Sequence, residues 1–139
     1  VIEQGLVKLV QTGLAASSPP IVLMGGFLAT LPKGQVLPSW TYQMVSAVPD
    51  RTLDNAKGGL FAGRIQIDCY GAEADDAVSL SWAIARVLNG QRGTLADADG
   101  TYLDSAFLSD THDPEVDEAS RTWRRVIEFD ICYKVVFQV

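Results

Sequence analysis

Residues 60–90 read LFAGRIQIDCYGAEADDAVSLSWAIARVLNG, and a change of period inside this stretch decides the fold. From Leu60 to Tyr70 the side chains alternate, with Ile65, Ile67 and Cys69 on one side and Arg64, Gln66 and Asp68 on the other. A two-residue period of this kind predicts a strand with one face on a core and one in water. From Ala72 to Asn89 the apolar positions become Ala77, Leu80, Ile84, Val87 and Leu88, which predicts a helix with one buried stripe. Glu73, Asp75 and Asp76 sit in its first turn and Arg86 near its end, each of the sign the helix dipole favours there. Asn89-Gly90 supplies the stop.

The rest of the chain falls into place around this pair. Downstream, Thr94-Leu95-Ala96 and Tyr102-Leu103 flank Asp97-Ala98-Asp99-Gly100, the pattern of a hairpin turn. A strand through Phe107 and Leu108 leads to an acidic loop from Asp110 to Glu118. The segment from Arg121 to Phe137 predicts a long closing strand. One of its faces carries Trp123, Ile127, Phe129, Ile131, Tyr133, Val135 and Phe137; the other carries Arg124, Glu128, Asp130 and Lys134.

Upstream, Trp40, Tyr42 and Met44 share one face of a strand over residues 40–46, which Pro49-Asp50 is expected to end. A long connection over residues 50–59 follows. Ile21 to Met24 predicts a short strand, followed by a loop through Gly25-Gly26 and Pro32-Lys33-Gly34. Residues 1–15 set Ile2, Leu6, Leu9, Val10 and Leu14 at helical spacing, and Ser17-Ser18-Pro19-Pro20 ends that helix. The expectation is an α+β fold: a single, mostly antiparallel sheet with two helices packed on one face, residues 1–139 forming one domain.

The chain has 139 residues, 47% hydrophobic and 20% charged, enough for one domain with a substantial core. The longest uncharged apolar stretch, Ile21 to Leu31, is shorter than the ~20 residues of a membrane span and is broken by Gly25 and Gly26. The beginning of the chain carries no signal-peptide pattern, so the expected place of synthesis and assembly is the cytoplasm. A net charge of −6 argues against reading DNA sequence, which needs a basic face. It suits plain solubility, and equally a surface that DNA passes without sticking. Cys69 and Cys132 lie in strand patterns far apart and are expected as free thiols.

Catalytic patterns fail in turn. Gly58 to Gly63 is glycine-rich, but no Gly-Lys-Ser/Thr follows to hold a phosphate. No GxSxG elbow occurs, and neither cysteine has a histidine near it in sequence. The single histidine, His112, lies in Asp110-Thr111-His112-Asp113-Pro114-Glu115, read as a solvated acidic loop rather than a metal site. Asp97-Ala98-Asp99-Gly100 lacks the further ligands of a calcium loop. Asp75 and Asp76 are accounted for by the helix dipole. Arg121 and Arg125 are expected on one strand face with Trp123, either holding a neighbouring subunit's carboxylates or keeping a strand edge soluble. No catalytic residue, cofactor or metal is predicted, which turns attention to assembly or binding.

With those elements in order, the sequence resembles the small tail completion, or tail terminator, proteins of long-tailed bacteriophages and prophages. The resemblance runs over nearly the whole chain and is strongest from Leu31 to Gly93. Leu31-Pro32-Lys33-Gly34 and Leu37-Pro38-Ser39-Trp40-Thr41-Tyr42-Gln43 resemble the family's "LP-x-G … LP-x-x-x-Y-Q" stretch. The opening Ile2-Glu3-Gln4-Gly5-Leu6, the strand Arg64 to Tyr70, Leu88-Asn89-Gly90 with Arg92-Gly93, and Phe129-Asp130-Ile131-Cys132-Tyr133 resemble its other elements. Ile21 to Thr30 and Asp110 to Glu118 depart from it.

The resemblance implies a minor tail protein of the virion, a homo-oligomer in a hexameric ring at the head-proximal end of the tail tube. Such a ring ends tube polymerisation and offers the docking surface for the head-tail connector or stopper protein, while the genome DNA passes through its lumen. The implied partners are the tail tube protein and that connector, with no membrane. On this reading Asp50, Asp54, Asp110, Asp113, Glu115, Asp117 and Glu118 are expected to face the lumen or a partner. Candidates for subunit or tube contacts are Phe27, Leu28, Lys33, Arg51, Lys57, Leu60, Phe61, Arg121 and Arg125, most of them in the loops over residues 25–36 and 52–63. The alternatives are another neck or head-completion adaptor, which would stack on the portal side, and a small enzyme or ligand-binding domain, which would show a deep polar pocket.

Overall fold

The computed structural model describes residues 2–15, 27–28, 38–50, 58–95 and 101–136. Helix α1 spans Ile2–Ala15. Three strands follow, β1 Phe27–Leu28, β2 Ser39–Asp50 and β3 Gly58–Gly71. Helix α2 spans Ala74–Leu88, and after it come β4 Gly93–Thr94, β5 Tyr102–Thr111, β6 Glu115–Asp117 and β7 Thr122–Val136. The strands form one sheet in the order β1-β2-β3-β7-β5-β4, with β6 also on β7. Among the described residues only β1 with β2 is parallel. The fold is α+β, as the sequence predicts.

The alternation in residues 60–70 holds to the residue. Ile65, Ile67 and Cys69 are buried, and on β7 the matching positions Ile127, Phe129, Ile131 and Tyr133 are buried with them. α2 closes this face with Ala77, Leu80, Ile84 and Leu88. α1 adds Ile2, Leu6, Val10 and Leu14 to the same core and packs against α2. Gly13 sets how close the two helices come, because a Cβ there would run into the Val87 side chain. Gly71 does the same between β3 and α2: a Cβ would lie 2.7 Å from the Ala77 nitrogen and the Asp76 Cβ. Such an approach leaves room for glycine alone.

Several boundaries differ from expectation. Pro49 does not end β2; it pairs with Phe61, and the strand continues to Asp50. Proline is tolerated in a strand at a sheet edge, where its missing N–H breaks no ladder bond. Among the described residues β1 covers only Thr41 and Tyr42, so the rest of β2 is such an edge. Gly58 and Gly59, expected in a connection, pair with Val136 and Val135. The predicted Ile21–Met24 strand and the Asp97–Gly100 turn lie outside the described residues, although β4 and β5 pair as that hairpin requires.

The acidic loop is a further correction. β5 runs on through Asp110 to Thr111, and Glu115–Asp117 form β6, leaving residues 112–114 as a short link. The link is held down by the His112 N–H, which donates to the Val126 carbonyl at 2.9 Å. β5 and β6 therefore act as one interrupted strand running antiparallel along β7. A loop of residues 118–121 then turns the chain, closed by the Arg121 N–H on the Asp117 carbonyl at 2.7 Å.

Candidate functional site

Both helices belong to one side of the sheet, so the other side is where the fold presents side chains away from the core. Cross-strand registers order that face in rows. Row by row along β7 it reads Tyr102, Lys134 and Leu60; Ser105, Cys132, Ala62 and Val48; then Phe107, Asp130, Arg64 and Ser46. Further along come Asp110, Glu128, Gln66 and Gln43, and beyond them Glu115, Arg124 and Tyr70. The second row is small and apolar, and charge rises from the Asp130 and Arg64 row onward toward Asp110, Glu128, Glu115 and Arg124.

The charged rows are partly neutralised within the face. Arg64 Nε lies 3.2 Å from Asp130 Oδ1, and Arg124 Nε lies 3.3 Å from Asp68 Oδ2. Gln66 Nε2 donates to the other Asp68 oxygen at 2.9 Å. The Arg64–Asp130 pair is about half exposed and contributes under about 1 kcal/mol. Its role is to keep an open sheet face wet and unattractive to stray apolar surfaces.

The apolar rows end in an arm made by the far halves of β2 and β3. Residues 45–48 of β2 are exposed, with Val45 at 50% and Val48 at 61%. Ala47 is exposed although it points to the helix side, so the arm reaches past the helices. Phe61 is half-buried in the arm and stacks on Tyr133 with ring centroids 5.4 Å apart. Phe107 is 58% exposed on the sheet's open side, and Trp82 is 44% exposed on α2.

The positions singled out in the sequence scatter over this frame. Asp110, Asp113, Glu115, Asp117 and Glu118 are all exposed and lie along the first half of β7, from the register of Glu128 to that of Thr122 and the turn beyond. Asp50 belongs to the other end, paired with Leu60 in the arm, so it does not join them. Phe27 and Leu28 form β1 rather than a loop, and Leu60 and Phe61 lie in β3, within the strand their alternation predicts. Asp54, Lys33, Arg51 and Lys57 lie outside the described residues.

Arg121 and Arg125 do not share an exposed face. Arg121 sits in the β6–β7 loop with φ +56°, exposed. Arg125 has the parity of Ile127 and Phe129, so the strand sends it toward α2, where it is 8% exposed. Its guanidinium carbon lies 5.4 Å from the Trp82 ring centroid, a cation–π contact. Trp82, Val45 and Phe107 were missed by sequence reasoning, yet each left a signal. Trp82 lies off the buried stripe of its helix, and Val45 and Phe107 lie off the core parity of their strands.

The Cys69 thiol is structural. Burial pushes the Cys69 thiol far above its ordinary range, and neighbouring Asp68 adds to the shift, so it stays protonated and unreactive. No helix among the described residues is long and apolar enough to cross a membrane.

An α+β domain with an open, graded sheet face and a projecting arm has the equipment of an assembly subunit, a protein whose work is contact. The chain belongs to the family described as Tail completion protein gp17, which matches residues 9–134. It is accordingly a structural protein of the virion tail, acting at the completed tail tube, and not an enzyme. A solved structure titled "Virion of native gene transfer agent (GTA) particle" contains a chain of the same fold, with TM-score 0.62 and 13% identity. The match covers 93% of this chain and 94% of that one. None of the curated protein sequences matches.

Proposed function

We propose that copies of this chain close into a ring, six subunits by the resemblance, on the head-proximal end of the tail tube. The ring stops tube growth and presents a docking surface to the head-tail connector. Family membership across residues 9–134 carries this reading. The physical support is the unlikeness of two parts of the sheet, acidic where Asp110 to Glu118 flank the first half of β7 and apolar along the Val45 to Val48 arm. Along β7 the registers of Asp117 and Val48 fall at Thr122 and Cys132, ten residues or about 33 Å apart. A head-to-tail ring exposes two different rims, and a subunit with two different ends gives each rim its own partner.

In this arrangement the apolar arm contacts a neighbouring subunit or the tube protein. The acidic end faces the lumen or the connector, where like charge keeps passing DNA from sticking. Electron microscopy of particles assembled with and without the protein tests the reading. Tails that overgrow, or finished tails that fail to join heads, are expected in its absence. Tails of normal length joined to heads would overturn it.

A further inference from the structure

We propose that Asp110, His112 and Glu128 form a binding site for a first-row divalent transition-metal ion, with zinc as the probe. The sheet register sets Asp110 directly opposite Glu128 across β5 and β7. Two carboxylates in that relation repel each other unless a positive group lies between them. The arginines on this face are engaged elsewhere, Arg64 with Asp130 and Arg124 with Asp68. What the chain places between the carboxylates is an imidazole.

The distances separate a hydrogen-bonded triad from a coordinating one. His112 Nε2 lies 3.5 Å from Asp110 Oδ2 and 3.6 Å from Glu128 Oε2. Both exceed the ~2.7–3.2 Å of an N–H···O hydrogen bond. They match the edge of a coordination tetrahedron, because donors about 2.0–2.1 Å from zinc lie about 3.4 Å from one another. All three donor atoms fall within 4.8 Å of each other.

The surrounding bonds hold the donors ready. The His112 N–H is fixed on the Val126 carbonyl at 2.9 Å. Asp110 Oδ1 accepts the Thr111 N–H at 2.8 Å, which leaves Oδ2 for the site. Ser109 Oγ donates to the Glu128 carbonyl at 3.1 Å, and the Glu128 side chain is only 15% exposed. Of these, the bond to Asp110 Oδ1 acts on a donor group itself, as outer bonds do around metals; the other two hold the backbone beneath His112 and Glu128. Beside the triad opens a groove of about 220 Å³ lined by Gln66, Asp113 and Glu115 among others, with room for water to complete the coordination. One imidazole with two carboxylates suits zinc and its first-row neighbours, whereas calcium takes six to eight oxygen ligands.

Titration calorimetry of the full chain with zinc chloride, near neutral pH and after chelator treatment, tests the assignment. Saturable binding of one equivalent is expected, with a matching rise in Tm. His112→Ala and Glu128→Gln are each expected to weaken binding by about tenfold or more, at least the loss typical of an outer-shell partner. Circular dichroism establishes that both variants keep the fold, and Cys132→Ser is expected to bind as the parent does. Absence of saturable binding would overturn the proposal, as would unchanged affinity in His112→Ala or loss of binding in Cys132→Ser.

Discussion

Arg125 lies inside the protein with its guanidinium 5.4 Å from the Trp82 ring centroid, and among the described residues its Nε finds no hydrogen-bond partner. A buried charge held by one aromatic face is a poor source of stability, because its desolvation offsets most of what the contact contributes. Arg125→Met, which keeps the volume and removes the charge, is expected to leave Tm unchanged or raise it. Trp82→Ala removes the ring and leaves the charge; a loss of about 1–2 kcal/mol is expected in urea unfolding. A large loss from Arg125→Met would mean that the guanidinium contributes more than this contact.

Gly71 isolates a steric requirement. The space for a Cβ is already taken by the Ala77 nitrogen and the Asp76 Cβ, so Gly71→Ala forces α2 away from β3. A loss of about 1–3 kcal/mol is expected, read as a lower urea midpoint at unchanged slope.

Arg121 isolates a conformational one. Its φ of +56° disfavours any residue with a Cβ, and the side chain is exposed. Arg121→Gly relieves that strain while loosening the unfolded chain, so a net gain of a few tenths to about 1 kcal/mol is expected in thermal melts. Retained stability with failed tail completion would assign Arg121 to a partner contact.

Val45 and Val48 test the arm. Being exposed, they contribute little to the isolated fold, and Val45→Asp with Val48→Asp is expected to leave Tm within about a degree or two. The double variant is expected to lose self-association in sedimentation velocity and to fail in completing tails. Normal assembly would remove the arm from the contact surface.

The faces of strands and helices were readable in the sequence because they depend on parity and period, which are local. The alternation of Ile65, Ile67 and Cys69, and that of Ile127, Phe129 and Ile131, needed nothing beyond their own neighbours. Strand adjacency was not readable: β3 pairs with β7, more than fifty residues further on. The acidic segment misled because a charge-rich run looks like a loop, yet Asp110 and Glu115 each pair with a β7 residue. Pro49 misled for a related reason, since an edge strand forgives it. Arg125 was placed on the correct side of its strand, but that side turned out to be the one α2 covers.

The end of α2 has a consequence for how copies can join. The Gly90 N–H donates to the Ala106 carbonyl at 2.7 Å, and the Asn89 side chain accepts the Leu108 N–H at 2.9 Å. These two bonds use up the outward hydrogen-bonding groups in the middle of β5, so no foreign strand can dock there. At those positions a neighbouring copy meets side chains rather than free main chain. A contact made at that part of the flank is therefore written in residues that evolution can exchange one at a time.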